Sequence, residues 1–500
     1  MRSDPLLFLM TNRNEPFGII CNIMKGLSIL AWEELSYHRF ENDQYSRLII
    51  MLKGSIPIGL TLLFLLSILS GIDFDPVEIE IVDPIPSDQT GNEINEFGSQ
   101  SSNETDEPIW PKFQYDLQNT GRNPNAINDN PGKLRWKTRI LSRISESSPT
   151  IYKNKILIGS TETIDSRKQG IYVLNRNGDI LWNEPTNGWI LSSPIFYDNN
   201  IIFTCRDNSI YSFHENGTLY WKFSTGNNIY GSPVIYNEQI IFGSFDNNIY
   251  SLDLNGSLIW KMGFGEGIRS TPAIDENGIM YVAGTTNGKI SKLYANNGTF
   301  IWNITVNNTI ATSPTIDNNN DLIYFLSYDY LISINPNGTE NWRLLASGRN
   351  KGSPAIAEDG TIYFGSGNGY FYSADPKGEV NWKYRTDRDP LGLNPSIRGS
   401  PAIDGNGIVY FGARDTYVYS FYPNGTKKWT FKTGDMIHSS PAIDNHGNVY
   451  IGSMDGYLYS IGFPLPEPPT NLMNKTGFGY VNLSWDQTPN FIDTESEGYR

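Results

Sequence analysis

Tyr230, Arg269, Lys351, Arg398 and His438 each stand three residues ahead of a proline that recurs along the chain. Those prolines open one repeated pattern, so the five side chains hold equivalent positions in successive units. Arranged around a ring, they would meet at the mouth of its channel. A concave, poorly solvated mouth focuses positive potential and would attract an anion such as a carboxylate, a uronic-acid glycan or a phosphate. The plainer reading is that these groups pair with nearby Asp or Glu, or face solvent. The equivalent positions in the other units hold Glu146, Leu191 and Ala311. Reaction chemistry is not visible here: no nucleophile–base pair, paired catalytic carboxylates, phosphate-binding loop or zinc spacing stands out. No catalytic, cofactor-binding or metal residue is therefore assigned.

The units that position these residues are marked by Ser/Thr-Pro or its equivalent at Pro149, Pro194, Pro233, Pro272, Pro314, Pro354, Pro401 and Pro441, about 40 to 47 residues apart. Eight copies of one unit follow. Each reads as a proline-led strand, a Tyr/Phe-rich strand such as residues 240–244, an alternating strand such as residues 248–253, an Asn-Gly turn and a strand ending in Trp. That order predicts a four-stranded antiparallel meander, since Asn-Gly and Asp-Gly supply the positive φ that tight hairpins need. Fourth-strand tryptophans occur at Trp182, Trp221, Trp260, Trp302, Trp342, Trp382 and Trp429, but none follows the eighth copy. Trp136, in GKLRWKTRI, precedes the first copy with no strands of its own. An all-β, eight-bladed propeller is predicted, closed by this N-terminal strand as the outer edge of the last blade.

Repeated tryptophans read as packing between neighbouring units, with a ligand-stacking ladder as the alternative. The turn acids Asp207, Asp246, Asp329, Asp415 and Asp455 read as hairpin chemistry before ligand chemistry. Acceptor sequons for glycosylation stand at Asn103, Asn216, Asn255, Asn297, Asn303, Asn307, Asn337, Asn424, Asn474 and Asn482. Several are simply the Asn-Gly turn followed by Thr or Ser.

The unit SSPAI…VYIGSMDGYLYS, with the pattern NG-x-x-x-W-x-x-x-TG of residues 216–226, resembles the pyrroloquinoline-quinone-type propeller repeat. WPKFQYDLQNTGRNP, residues 110–124, resembles the lead-in of such domains. The resemblance spans residues 110–462. It implies the propeller fold and a range of activities: quinoprotein alcohol and sugar dehydrogenases, the scaffold lipoprotein of the outer-membrane β-barrel assembly machinery, and surface proteins without assigned chemistry. The dehydrogenase branch implies a quinone in the central funnel, Ca²⁺ held by carboxylates and amides, a catalytic Asp and often a disulfide between adjacent cysteines. This chain has only Cys21 and Cys205, far apart, and short blades with no long cap-forming insertion. After residue 462, PEPPTNLMNKTGFGYVNLSW resembles the start of a fibronectin type III domain, a partial β-sandwich over residues 463–500 that is expected to continue further.

Residues 54–72 carry no charge and are long enough to cross a bilayer, as a transmembrane anchor or a signal peptide. Lys53 and Arg47 precede them and a run of acids follows, which puts residues 1–53 in the cytoplasm and the remainder outside. Met51 is an alternative start. Residues 73–109, acidic and poor in aromatics, read as a disordered tether. The net charge of −15, with no long basic run, argues against nucleic acid as a partner. The expectation is an exported propeller, held at the cell membrane or secreted, that binds protein or glycan partners without a cofactor and without catalysis of its own. Two other readings stay open: an enzyme, either a dehydrogenase using quinone and Ca²⁺ or a polysaccharide-acting protein with its catalytic part beyond residue 500, and an envelope-assembly scaffold.

Overall fold

The computed structural model describes residues 110–140, 142–161, 169–387 and 396–465 with their side chains, and strands at 6–12, 35–42, 45–52, 78–82, 108–109, 470–477 and 480–486 by backbone. It forms two units, Gln100–Pro464 and a second made of Met1–Ser99 with Leu465–Arg500. The second unit holds an antiparallel sheet of Leu6–Asn12, Leu35–Asn42, Tyr45–Leu52 and Glu78–Val82, and a hairpin of Thr470–Gly477 with Tyr480–Asp486. Residues 54–72, read as the membrane segment, lie outside the described residues, as do the side chains after residue 465, where a fibronectin type III domain is expected from the sequence. Among the described residues no helix is long and apolar enough to cross a membrane.

Gln100–Pro464 is the expected eight-bladed, all-β propeller, each blade an antiparallel sheet. Local sequence explains each blade. The two middle strands, Gln239–Gly243 and Asn248–Asp253 in blade 3, are buried over nearly their whole length, because both faces meet neighbouring blades. The outer strand, Leu258–Gly263, alternates exposure as an edge with one solvent face should. The core lies between blades; Phe371 of blade 6 stacks on Phe411 of blade 7 with centroids 3.9 Å apart. Each outer-strand tryptophan lies across the next blade's turn. Trp221 Nε1 donates to Leu254 O at 2.8 Å, and a Cβ added to Gly256, at φ +82°, would stand 2.6 Å from the indole.

Closure follows the same rules. Strand Lys133–Arg139 pairs antiparallel with Tyr457–Gly462 in the last blade, and Ser460 faces Trp136 just as Ser420 faces Trp429 one blade earlier. Trp136 packs on Tyr450 at 5.8 Å and its Nε1 donates to Arg176 O in blade 1. Trp429 in turn donates to Asn130 O and covers Gly132, so the turn before the closing strand does the work of an Asn-Gly turn. The N-terminal strand thus enters the last blade in the register of an ordinary fourth strand.

Two features go beyond the repeat. Blade 1 has a fifth, innermost strand, Pro108–Trp110, paired with Thr150–Tyr152; the propeller therefore begins two residues before residue 110. From Trp110 the lead-in runs beneath the inner strands and closes one end of the channel. Backbone N–H groups of Ile274, Ile316, Ile356 and Ile403, in four successive blades, donate to carbonyls of Leu117, Gln118, Thr120 and Gly121. Amide side chains add to this seal: Asn119 Nδ2 reaches Pro314 O at 2.9 Å and Pro272 O at 3.3 Å, and Asn123 Nδ2 reaches Ile443 O at 2.9 Å. Buried Lys112 donates to Phe113 O at 2.8 Å, Asn119 Oδ1 at 2.6 Å and Asp116 O. Burial lowers its ammonium to about 7, against the pull of Asp116.

Candidate functional site at the open channel mouth

At the opposite end, the residue before each repeat proline is Ser or Thr, and these hydroxyls knit the inner strands together. The N–H groups of Ser193, Ser232, Thr271, Ser313, Ser353, Ser400 and Ser440 each donate to the hydroxyl of the next blade, at 2.8 to 3.1 Å. The girdle is broken once, between blades 1 and 2, where buried Ser193 Oγ has no partner. The repeat pattern displayed these hydroxyls, but their role needed the proline to be recognised as a residue that leaves its predecessor to make the interblade bond.

Above the girdle, Tyr230, Arg269, Lys351, Arg398 and His438 line one cavity of about 70 Å³, with Phe113 of the lead-in also in its wall. The structure therefore brings together all five side chains that the spacing singled out. It also adds Glu146, the equivalent residue of blade 1, held at φ 54°. Its carboxylate pairs with Arg269 and, at 3.5 Å, with Lys351 Nζ. Burial alone would raise the Glu146 carboxyl, but the charges of Arg269, Lys351 and their neighbours outweigh it and hold it below its ordinary value. The pairing expected of a plain structural cluster thus holds for two of the three cations. Arg269 also lies over the Tyr230 ring at 5.1 Å, with Arg206 over the same ring at 5.0 Å.

Arg398 and His438 differ from that pair. Among the described residues the Arg398 guanidinium has no hydrogen bond or ion pair; burial, and then the charge of Arg414, lower its affinity for its proton. His438 is 7% exposed, with Nδ1 3.4 Å from Ser145 Oγ and Nε2 without a partner. Burial and the Arg398 charge push its imidazole down to about 3, so it is neutral near pH 7.

The turn acids are tied up elsewhere. Tyr211, Tyr250, Tyr419 and Tyr459 donate their hydroxyls to Asp207, Asp246, Asp415 and Asp455 at 2.5 to 2.6 Å, and Asn308 donates to Asp329 at 3.2 Å. Asn216, Asn297, Asn337 and Asn424 of the turn sequons accept from their own turns, as Asn216 does from Thr218 N at 3.0 Å, whereas Asn255 accepts from the Tyr220 hydroxyl at 2.6 Å. Cys205 is buried, and burial pushes its thiol up to about 12, which leaves it a packing residue. Cys21, Asn103, Asn474 and Asn482 lie outside the residues described with side chains.

A closed ring of eight antiparallel blades around a plugged channel defines a β-propeller repeat protein. Residues 125–254 and 245–462 match the family described as "Outer membrane protein assembly factor BamB", and the chain belongs to this PQQ-type repeat family. Among solved structures it is similar to BamB from Moraxella catarrhalis, at TM-score 0.53 and 16% identity over 66% of this chain and 97% of that one. It is also similar to the quinohemoprotein alcohol dehydrogenase from Comamonas testosteroni, at 0.61 and 12% identity over 75% and 84%. The computationally designed Ika8 protein matches at 0.53 and 13% identity over 66% and 100%. At such identities these likenesses establish the fold alone. No curated protein matches the chain.

The quinone and Ca²⁺ implied by the dehydrogenase branch do not fit the described residues. A cavity of about 70 Å³ is far below the several hundred Å³ of a pocket that buries a multi-ring cofactor. The single acid in the mouth is bound to Arg269, and no cluster of three or more His, Cys, Asp or Glu is placed to hold a metal among the described residues.

Proposed function

We propose that the chain is an exported scaffold, anchored through residues 54–72, whose propeller binds a protein partner through its outer surface rather than performing chemistry in its channel. The observation that carries this reading is an asymmetry of the outer strands. Ile180 and Leu181, Leu219 and Tyr220, Leu258 and Ile259, and Ile301 are all exposed on blades 1 to 4. The matching places on blades 5 and 7 hold Glu340, Asn341, Lys427 and Lys428, and those on blades 6 and 8 hold one exposed apolar residue each, Val380 and Leu134, beside Asn381 and Arg135. Apolar side chains repeated along one arc of an otherwise acidic protein supply the desolvating area that a protein interface needs. Fibronectin-type modules after residue 462 would extend the same role, and the extracytoplasmic location follows from the charge bias around residues 54–72.

The test is photo-crosslinking in cells from single positions. Tyr220 and Ile259 should yield a discrete protein adduct, whereas the exposed Asn341 and Lys427 should not. Equal labelling at all four sites, or none at any, overturns the reading. A dye-linked alcohol oxidation after addition of quinone and Ca²⁺ would favour the dehydrogenase alternative instead.

A further inference from the structure

The channel mouth carries an unspent binding capacity that the scaffold reading does not use. Glu146 satisfies Arg269 and Lys351, yet the cluster keeps a surplus of positive charge: half-buried Arg398 has no hydrogen bond or ion pair among the described residues, and buried His438 Nε2 has no partner. The Arg398 guanidinium is a rigid, planar, always-charged fork. Ser145 Oγ lies 3.4 Å from Nδ1 of His438 while the buried Nε2 has no partner; in the tautomer where the hydroxyl donates to Nδ1, the ring proton sits on Nε2 with nothing to receive it. A buried unpaired donor costs about 1–3 kcal/mol, which a native fold tolerates where a ligand or water completes the bond.

We propose that this mouth is a receptor for a single carboxylate group, held by the Arg398 fork and the His438 Nε2–H, with Arg269 and Lys351 supplying the surrounding positive field. A planar anion with two oxygens matches the donors available: the fork takes both oxygens side by side and Nε2–H reaches a remaining lone pair. The cavity admits a group of a few heavy atoms and no more, since each water needs about 10–15 Å³ of the same measure. Glu146 selects against a second negative charge, which disfavours the phosphate dianion. Because the opposite end is closed by the lead-in, the carboxylate enters from this mouth alone. It comes either as a free small acid or as the terminus of a peptide presented from outside.

Ligand-observed saturation-transfer NMR on the full chain tests this, with four probes: acetate, a short N-acetylated peptide ending in a free carboxylate, the same peptide amidated, and inorganic phosphate. Acetate and the free-carboxylate peptide should show transfer and the amidated peptide none. Tighter binding of the peptide identifies a presented terminus as the source; equal binding identifies a free acid. Arg398→Gln should weaken acetate binding about tenfold or more. His438→Gln, which keeps an N–H at a similar reach, should weaken it less than His438→Leu. Thermal unfolding of each variant confirms that the fold persists, and the wild-type probe series decides the matter even where a variant fails to fold. No transfer from acetate, phosphate binding as tight as acetate, or unchanged affinity in a folded Arg398→Gln variant each overturns the proposal. The site is independent of the apolar arc on blades 1 to 4, so the crosslinking experiment and this one can fail separately.

Discussion

The two ends of the channel solve the same problem with opposite chemistry. Eight inner strands leave a ring of backbone groups facing an axis too narrow for a core. At the closed end the lead-in meets that ring with its own peptide groups and uncharged amides; its buried Lys112 is held by carbonyl oxygens, and its Asp116 accepts from Thr120 of the same segment. At the open end the hydroxyl girdle takes up the backbone bonds one layer down. The mouth is then free to carry Glu146, three cations and a histidine whose bonds are only partly made. One end is finished as a piece of structure; the other keeps donors in reserve.

The largest expected effect therefore lies at the closed end. Asn119→Ala removes donors to two blades and one of the three acceptors of the Lys112 ammonium, and should cost about 3 kcal/mol in denaturant unfolding. Glu146→Gln at the open end severs a pair whose side chains are about one-fifth exposed, and should cost about 1 kcal/mol or less. A larger loss at Glu146 than at Asn119 would reverse the comparison.

A sharper separation comes from pH. His438 has its folded value near 3 against 6.5 when unfolded, so its contribution is complete above 6.5 and is lost as pH falls toward 3. Lys112 has its folded value near 7 against 10.5, so stability rises as pH climbs from 7 toward 10.5. Neither slope can exceed about 1.4 kcal/mol per pH unit from one group. His438→Gln should flatten the acid side alone and Lys112→Met the alkaline side alone, read as differences from wild type in thermal melts. Working between 6.5 and 4.5 keeps Glu146 out of the acid window, and differencing removes Asp404, whose burial raises it to about 6. Burial raises the Tyr410 hydroxyl above its ordinary value, so it stays protonated below 10. Variants that alter both limbs together would mean that the two ends are energetically one.

Much of this was legible in the sequence because repetition encodes it. The blade count, strand order and closing strand at Trp136 all follow from a unit that occurs eight times and one tryptophan that lacks a unit. The five mouth residues were legible for the same reason, since a fixed offset from a repeated proline becomes a fixed height on the axis. What repetition cannot encode is what occurs once. The lead-in has no alternating pattern, and the reach of Asn119 to Pro314, 195 positions away, belongs to the assembled ring. Glu146 stood at the right offset, but only its left-handed backbone and the convergence of blades 1, 4 and 6 show which cations it neutralises and which it leaves.

The smallest effect probes the single interruption in the girdle. Ser232 accepts the N–H of Ser193, so Ser232→Ala leaves a buried donor unmade and should cost about 1–2 kcal/mol. Ser193 stands at the equivalent position, with the same burial and the same proline after it, yet its Oγ receives nothing. Removing that hydroxyl forfeits no bond and takes an unsatisfied polar atom out of the interior, so Ser193→Ala should be neutral or stabilising by a few tenths of a kcal/mol. Two chemically identical substitutions one blade apart then differ in sign. Denaturant midpoints for the pair measure that difference, and equal losses would mean that the ring of hydroxyls closes fully and that blades 1 and 2 are joined like the rest.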